Sequence, residues 1–379
     1  MSYNLTPFQE MIRELTREIT EKEFKARAEE VDKTHKFPVE NVDLLKKLGY
    51  LGLSIPKELG GSGGDYLSYI IALEEIARYC ATTCVILSAH ISLACGPILT
   101  FGTNEQKEKF LRPLASGKYL GAFGLTEPGA GTDAGAQKTR AVLDGNEWVL
   151  NGTKVFITNA RYADIYIIFA MTEPNQGVKG ISAFIVPADT KGFSIGKIED
   201  KLGICGSSTG ELILEDVRIP KDYILGQPGM GFRIAMQTLD GGRIGIASQA
   251  LGIAQGALDE AIKYVKEREQ FGKPIAVNQG LQWYIAEMAT RVEAARLLVY
   301  NAARLKDAKK PFSKEAAMAK WYASETATFV SHKAIQLFGG YGYTKDYPVE
   351  RFYRDARITE IYEGTSEVQK MVIAANVLK

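Results

Sequence analysis

The first third of the chain carries apolar residues at helical spacing. Thr6 followed by Pro7 predicts the start of a helix. The apolar residues after it recur at intervals of three and four: Phe8, Met11, Ile12, Leu15 and Ile19. The same periodicity predicts further helices over 39–49, 67–79, 84–95 and 104–114. The glycine-rich stretch 60–64 predicts a plain loop, because no strand precedes it and no Walker-type lysine follows it.

The hydrophobic pattern changes near residue 120. Trp148–Leu150 and Lys154–Ile157 are short runs of strand-forming residues, and Asp144-Gly145-Asn146 has the composition of a hairpin turn. Similar runs follow at 165–170, 180–186, 193–198 and 211–214. Short strands with turn signals and no helices between them predict an antiparallel β domain over roughly 121–220.

Helical periodicity returns after Pro220 and the loop that leads to Gly231. It predicts long helices over 232–268, 279–308, 313–338 and 365–377. The predicted fold class is therefore α+β and mainly α. We expect an N-terminal helical domain at 1–120, a central β domain at 121–231 and a C-terminal helical domain at 232–379.

One long stretch of the N-terminal part carries no charge. Between Tyr79 and Asn104 there is no Asp, Glu, Lys or Arg, and about 20 such residues can span a membrane. Polar residues and the pair Gly96–Pro97 interrupt the stretch, and neither flank has the basic excess of a membrane helix. We therefore predict a fully buried helix and no membrane insertion.

Composition and charge narrow the function classes. The 379 residues are 46% hydrophobic and 24% charged, which is ordinary for a globular protein. Lys+Arg 46 against Asp+Glu 45 gives a net charge of +1, which argues against a nucleic-acid binder. Charged residues near the N-terminus, where a signal peptide would be apolar, predict a cytoplasmic protein with reduced thiols.

Cysteines and histidines are poorly placed for metal chemistry. The four cysteines are Cys80, Cys84, Cys95 and Cys205, and they form no C-x-x-C pair. Cys80 and Cys84 with the nearby His90 would supply too few ligands for structural zinc, so we predict buried thiols and no metal. The three histidines, His35, His90 and His332, belong to no Ser-His-Asp set and no H-E-x-x-H motif, which argues against hydrolysis.

Four segments combine glycine and polar residues within apolar surroundings. Residues 123–135, FGLTEPGAGTDAG, could bring backbone N–H groups close to a ligand or simply form a turn. The G-x-G within them lacks the third glycine and the βαβ unit of a Rossmann site. In 239–247, LDGGRIGIA, Asp240 and Arg243 suit a surface ion pair, but two helical glycines indicate close packing against the backbone.

The other two segments lie in the last part of the chain. REQFGKPI, 268–275, places Arg268 near a helix end, where it could simply compensate the helix dipole. In 336–355 glycines break a helix, and 358–367, ITEIYEGTSE, leads into the last helix. Glu363 could cap that helix or act as a base in an apolar site, and both interpretations stay open on the residues alone.

These segments resemble the acyl-CoA dehydrogenase family, most closely its bacterial short-chain branch. The motifs GLTEPGAGTD, FITNA, REQFGKPI, QLFGGYGY and IYEGTSE occur in family order, and the likeness extends from about residue 5 to residue 379. The resemblance implies the family fold, with a central antiparallel β-barrel and a C-terminal four-helix bundle. It also implies FAD as cofactor, an electron-transferring flavoprotein as partner and a homotetramer built as a dimer of dimers.

The resemblance further implies roles for individual positions. Glu363 matches the base that removes the α-proton of an acyl-CoA, while hydride leaves Cβ for flavin N5. Positions that match substrate contacts are Thr132, Asp240, Gly241, Gly242, Arg243 and Gly364. Positions that match flavin contacts are Phe123, Leu125, Thr126, Thr132, Phe156, Ile157, Thr158, Thr365, Ser366 and Glu367. Positions that match FAD contacts from a neighbouring subunit are Arg268, Phe271, Gln279, Gln336, Leu337, Phe338, Gly339 and Gly340.

Three positions distinguish this chain within the family. A branch of the family takes its base from the helix carrying LDGGR, where this chain has Gly242, which cannot serve. Phe156 stands where many members carry tryptophan, so apolar shielding is kept and the indole N–H is lost. Glutaryl-CoA dehydrogenases place an arginine at a position that aligns with Cys84, so the buried helix over 79–98 should floor a short, uncharged acyl pocket.

The expected reaction is the dehydrogenation of butyryl-CoA to crotonyl-CoA. A branched short-chain substrate is one alternative, and an acyl-CoA oxidase that uses O2 is another. A catalytically silent family member that acts as an assembly partner is a third, and the presence of Glu363 argues against it.

Overall fold

The computed structural model describes residues 3–379, so Met1 and Ser2 of the predicted N-terminal domain lie outside it. The first helix starts where Thr6 and Pro7 predict. The Thr6 hydroxyl accepts the N–H of Gln9, and the Gln9 side chain accepts the N–H of Thr6, so two helix-end donors are satisfied reciprocally. The helices of this part are α1 (Pro7–Ile19), α2 (Lys25–Thr34), α3 (Val39–Lys47), α4 (Tyr66–Ala77), α5 (Ala81–Ser88), α6 (Gly96–Phe101), α7 (Asn104–Gln106) and α8 (Arg112–Ala115).

Wider π-helical turns join several of these helices into longer rods. Thr20–Phe24 links α1 to α2, and Lys107–Leu111 links α7 to α8. Ala89–Cys95 links α5 to α6, which makes one helical stretch of Ala81–Phe101, longer than the predicted 84–95. A π turn holds one residue more than an α turn and occurs frequently at functional sites.

The central part is a sheet of eight strands with the order β6-β7-β3-β2-β4-β5-β8, and β1 pairs with β4. The predicted hairpin is confirmed, because Asp144 pairs with Glu147 and Gly145 has a φ of +61° in the turn. The strands are β1 (Gly121–Gly124), β2 (Arg140–Asp144), β3 (Glu147–Thr158), β4 (Ile165–Met171), β5 (Ile181–Pro187), β6 (Phe193–Ile198), β7 (Thr209–Pro220) and β8 (Ile224–Leu225).

The prediction of an antiparallel barrel is wrong in two respects. Within the described residues the sheet stays open, because its two edge strands, β6 and β8, do not pair with each other. Strand β8 is only two residues long. In addition, β1 runs parallel to β4, with Gly121 opposite Ile165 and Gly124 opposite Ile168. Parallel pairing needs a long connection, and the loop and hairpin between β1 and β4 provide it.

The C-terminal part returns to helices, as predicted. The long helix α11 packs along α9 and α10, and α12 and α13 lie against α11. Helix α12 is an addition to the predicted elements. The elements are α9 (Gly231–Glu267), β9 (Glu269–Gln270), β10 (Lys273–Pro274), α10 (Gln279–Asp307), α11 (Ser313–Phe338), α12 (Val349–Ile358) and α13 (Ser366–Val377).

The helical stretch Ala81–Phe101 lies at the centre of the molecule, where it packs against α4, α9 and β1. It is long and apolar enough to cross a membrane, but 78% of its most apolar window is buried inside the protein. His90 Nδ1 accepts the N–H of Gly121 at 3.0 Å, and the Asn159 amide donates to the carbonyls of Ile86 and Gly121. Burial lowers the pKa of His90 to about 4, so the ring is neutral and able to accept.

Glycines let α9 lie directly on its neighbours. A Cβ at Gly252 would be 2.3 Å from the carbonyl oxygen of Glu74 in α4, and a Cβ at Gly245 would be 2.6 Å from Ser88 Oγ in α5. No larger residue fits at such distances without moving a helix. This contact fixes the LDGGR turn of α9 against the central helical stretch.

Candidate active site

Glu363 lies in the loop between α12 and α13, in a backbone conformation that few non-glycine residues adopt. Its φ is +50°, and Gly364 follows with a φ of +93°. The amide of Gln369 donates to the carbonyl of Glu363 at 3.2 Å and to that of Gly364 at 2.9 Å, which holds the loop. The carboxyl oxygen Oε2 is buried and has no hydrogen-bond partner within residues 3–379.

The space for this carboxyl comes from Gly242. A Cβ at position 242 would lie 1.9 Å from Glu363 Oε2 and 3.0 Å from Leu93 Cδ2. Helix α9, the central helical stretch and the loop before α13 therefore meet at the carboxyl. A larger residue at 242 would displace the Glu363 carboxyl from this position, and glycine itself cannot act as a base.

Burial raises the pKa of Glu363 to about 7, although the positive charges of Lys320 and Arg243 oppose the rise. A carboxyl with a pKa near neutrality is well matched to general-base catalysis. Helix α13 is capped by Thr365, whose hydroxyl accepts the N–H of Val368. The geometry therefore favours the base over the helix cap, the two interpretations that the residues alone left open.

Asp240 and Arg243 form a partly buried pair, in which Arg243 is buried and Asp240 is half-buried. Arg243 is 6% exposed, and its guanidinium donates to Asp240 Oδ1 at 2.5 Å. The Ser313 hydroxyl donates to the same oxygen at 2.9 Å. Arg243 Nε is buried without a partner in the described part of the chain, so one donor is left for a ligand beside Glu363.

The two predicted flavin segments lie side by side. The N–H of Val155 donates to the Thr126 carbonyl at 2.9 Å. Phe156 occupies a bulge of β3 with a φ of +59°, and its side chain is 64% exposed. Placed Cβ atoms at Gly129 and Gly131 meet nothing within 4 Å among the described residues, so this loop also faces open space. Of the other predicted positions, Leu125 and Ile157 are buried, Phe123, Thr126 and Thr158 are half-buried, and Thr132 is exposed.

A buried ion pair anchors this loop to the sheet, and sequence reasoning missed it. Lys154 Nζ lies 2.7 Å from Glu127 Oε1, and the two side chains are 0% and 6% exposed. Lys154 also donates to the Leu125 carbonyl and to Gln137, while Glu127 accepts the N–H of Thr139. Burial lowers the pKa of Lys154 to about 8, so the ammonium is still charged at neutral pH.

The positions predicted to touch FAD of a neighbouring subunit form an open pocket of about 520 Å³. Arg268 lies beside Tyr341, with its guanidinium carbon 5.6 Å from the ring centre. Phe271 and Gln279 do not line the pocket, and Phe271 is 99% exposed. The predicted positions that line it are Arg268, Gln336, Leu337, Phe338, Gly339 and Gly340.

One further buried polar group without a hydrogen-bond partner in the described chain lies at the start of α13. Thr365 is the cap, Ser366 is 4% exposed, and Glu367 is exposed. The Ser366 hydroxyl is buried without a partner in the described chain, directly after the loop that carries Glu363. A buried hydroxyl of this kind is available for an electron-rich ligand atom.

Lys320 is the second functional candidate that sequence reasoning missed. It lies on α11 and is fully buried, and its Nζ donates to the Gly364 carbonyl at 2.7 Å. In the sequence, Lys320 is the single charged residue within the apolar helical run Ala316–Tyr322. Such a charge is usually placed on a solvated face, so the pattern alone does not point to it.

No group of three His, Cys, Asp or Glu side chains is placed to hold a metal ion in the described residues. All four cysteines are free and buried.

Comparison with known proteins identifies the family. Its sequence profiles match three consecutive parts of the chain: "Acyl-CoA dehydrogenase, N-terminal domain" at 6–118, "middle domain" at 122–217 and "C-terminal domain" at 229–378. The chain belongs to the acyl-CoA dehydrogenase family. The resemblance drawn from the sequence motifs is confirmed.

Individual members of the family are similar over the full length. The short-chain specific acyl-CoA dehydrogenase of Clostridium acetobutylicum is 58% identical over 379 residues, which is 100% of both chains. The butyryl-CoA dehydrogenase structure from Megasphaera elsdenii is 51% identical with a TM-score of 0.98, again over 100% of both chains. A chain from a structural study of the electron transferring flavoprotein of Acidaminococcus fermentans is 54% identical with a TM-score of 0.99 and the same coverage.

Lys154→Met is expected to lower the free energy of unfolding by about 3–5 kcal/mol, because it leaves the Glu127 charge buried without its partner. Adding Glu127→Gln should recover part of the loss. Urea unfolding of the two variants measures both effects. Arg218→Met, which breaks exposed pairs with Asp144 and Glu147, is the control and should leave the unfolding midpoint in urea close to that of the wild type. Equal losses at positions 154 and 218 would contradict the anchoring role.

Proposed function

We propose that this acyl-CoA dehydrogenase oxidises a short-chain acyl-CoA, butyryl-CoA, to crotonyl-CoA. The observation that carries the proposal is the buried carboxyl of Glu363, with one oxygen unpartnered in the described chain and a pKa near 7. Such a group can take the α-proton of a thioester close to neutral pH. The similarity to the Clostridium and Megasphaera enzymes supports the short chain length.

The residues present fit FAD as the cofactor. Phe156 and the loop containing Gly129 and Gly131 present open surface, and the Ser366 hydroxyl lacks a partner in the described residues. When bound, FAD supplies the acceptor for the hydride that leaves Cβ. The residues of the same subunit proposed to hold FAD are Phe123, Leu125, Thr126, Thr132, Phe156, Ile157, Thr158, Thr365, Ser366 and Glu367.

Glu363 performs the proton transfer in this proposal. Its carboxylate form accepts the α-proton, so the rate should rise with pH through the region of its pKa, about 7. The negative charge that develops on the thioester oxygen requires hydrogen-bond donors in a dry site, and backbone N–H groups of the Glu363 loop are suited to this. The protonated carboxyl can return its proton to an enoyl-CoA, so the same residue serves the reverse reaction.

The substrate lies between Glu363 and α9 in this proposal. Thr132, Asp240, Gly241, Gly242, Arg243 and Gly364 are its proposed contacts. The free Nε of Arg243 supports a ligand at this point. The central helical stretch floors the acyl pocket, where Cys84 is fully buried and burial raises the pKa of its thiol well above the usual value. An uncharged floor offers no partner to a distal carboxylate.

We further propose an electron-transferring flavoprotein as redox partner and a homotetramer as the assembly. The similarity to a chain from the Acidaminococcus flavoprotein study supports the first. The exposed side chains of Phe271, Trp283 and Tyr343 support the second, because they are large apolar groups in the C-terminal part of the chain that a second copy would cover. A cytoplasmic location and domains at 1–120, 121–231 and 232–379 complete the proposal.

Butyryl-CoA is expected to give the highest kcat/KM in a series of acyl-CoA substrates that also contains hexanoyl-, octanoyl- and glutaryl-CoA. Each methylene beyond the pocket should cost about 1–3 kcal/mol of discrimination, and glutaryl-CoA would bury an unpaired charge. Anaerobic bleaching of the flavin measures the rates. A higher value for octanoyl- or glutaryl-CoA would contradict the short pocket, and rapid reoxidation in air would indicate an oxidase.

Glu363→Gln is expected to slow flavin bleaching by butyryl-CoA at least 10⁴-fold, the upper end of the usual effect of ~10²–10⁴ for a lost general base. FAD content and binding of an unreactive product analogue should stay near wild type. Glu360→Gln is the matched control, since that carboxylate already accepts from Thr328 and Arg357. A Glu363→Gln enzyme within tenfold of wild type would remove Glu363 from the mechanism.

Arg268→Ala is expected to lower the FAD content and to weaken the oligomer together. The guanidinium fork matches pyrophosphate oxygens, and in the proposed assembly those belong to FAD of the neighbouring subunit. Gel filtration with simultaneous detection of flavin and protein measures both effects, and Arg218→Ala on β7 is the control. If Arg268→Ala elutes as a wild-type oligomer with full flavin, Arg268 is only a helix-end charge.

A further inference from the structure

The loop that carries Glu363 is bound to α11 at three points: Ser324 donates to the Thr359 carbonyl, Thr328 donates to Glu360, and a buried lysine binds next to Glu363 itself. Lys320 is 0% exposed, and its Nζ donates to the Gly364 carbonyl at 2.7 Å. Gln369 donates to the same carbonyl from α13. The carbonyl therefore has two donors, and the peptide that follows the candidate base is held from two helices.

The principal charged and titratable groups that interact with Glu363 or Lys320 lie on α11, α9, α4, α13 and the loop itself. Lys320 from α11 and Arg243 from α9 are the positive charges that act on it. Tyr66 and Tyr69 from α4 and Tyr362 from its own loop are neutral phenols, because burial raises their pKa values well above the usual one. The carboxylates of Glu360 and Glu367 act on Lys320 from the flanking turns.

Lys320 and Arg243 have different binding partners. Arg243 already pairs with Asp240 at 2.5 Å, so its charge is partly neutralised. Lys320 binds a neutral carbonyl, so its charge is left to act on Glu363. Burying an ammonium beside one carbonyl is unfavourable for folding by itself, and a nearby carboxylate compensates for it.

We propose that Lys320 is the positioning residue of the base, holding the Glu363 loop through the Gly364 carbonyl and supplying a buried positive charge that favours the ionised form of the Glu363 carboxyl. The proposal rests on the function proposed for Glu363. Proton abstraction needs the ionised form, and desolvation alone favours the protonated one. A positive charge favours the ionised form of a carboxyl, and a pKa of about 7 makes the protonation state of Glu363 sensitive to that charge at neutral pH.

The first test needs no substrate. The infrared band of the protonated Glu363 carboxyl is followed during a pH titration of the holoenzyme and is assigned by its loss in Glu363→Gln. Its midpoint should lie near pH 7 in the wild type and at least about one pH unit higher in Lys320→Met and Lys320→Gln. Lys320→Arg keeps the charge and should restore the wild-type midpoint.

Lys333→Met is the matched control. It removes a lysine from the same helix, where the ammonium lies over the Tyr284 ring and away from Gly364. It should leave the midpoint unchanged. An unchanged midpoint in folded Lys320→Gln would overturn the proposal. Should Lys320→Met fail to fold, Lys320→Gln and Lys320→Arg decide the question.

The second test separates charge from positioning. With butyryl-CoA, both neutral variants should move the acid limb of the kcat profile to higher pH by the same amount as the infrared midpoint. Lys320→Gln can still donate to Gly364, so only Lys320→Met should also lose at least tenfold in kcat on the high-pH plateau, with KM little changed. Equal kcat values for Lys320→Met and Lys320→Gln on the high-pH plateau would contradict the positioning role of Lys320.

The two tests also distinguish this proposal from the proposed function. A shifted infrared midpoint in a protein whose wild type is not bleached by butyryl-CoA would support Lys320 and refute the substrate. Bleaching by the wild type with no shift in the variants would support the function and refute Lys320.

Discussion

The helical stretch Ala81–Phe101 is too apolar to be left in water, and the elements around it bury most of it. Helix α4, helix α9 and strand β1 cover it, and each comes from a different part of the chain. Apolar burial of this extent is the main driving force that brings the three parts together. The candidate site lies where these parts meet, so its dryness follows from the same packing that stabilises the fold.

Charges inside this packing occur in two different arrangements. Lys154 and Glu127 neutralise one another and satisfy several neighbouring polar groups, which suits a rigid anchor for the loop after β1. At Glu363 the hydrogen bonding is not complete, since one carboxyl oxygen has no partner in the described chain. A fully satisfied carboxylate would be too weak a base, whereas an isolated one would stay protonated. The partial compensation by distant positive charges places Glu363 between these limits.

Local sequence signals predicted the elements well and their pairing poorly. The start of α1 follows from the Thr6 cap, and the ends of α9, α10 and α11 follow from periodicity, because both are properties of neighbouring residues. The open sheet and the parallel β1–β4 pair depend on strands far apart in the chain, which no local pattern encodes.

The candidate site shows the same division. Motif resemblance singled out Glu363 and Gly242. Only the fold shows that Gly242 leaves the space occupied by the Glu363 carboxyl. Sequence analysis missed Lys154 and Lys320 because a lysine in a periodic stretch is ordinarily solvated. Only the tertiary packing shows that these two lysines are buried. Buried charge is thus the class of feature that sequence patterns describe least well.

The π-helical turn Ala89–Cys95 helps to shape the candidate site. It contributes Leu93 to the surroundings of Gly242 and Glu363, and it holds one residue more than a regular turn would. Loss of a single residue there would convert it to ordinary α-helix while leaving α5 and α6 on either side in register with their neighbours. A one-residue deletion in this buried turn would therefore move Leu93 relative to Glu363 and change the shape of the proposed acyl pocket.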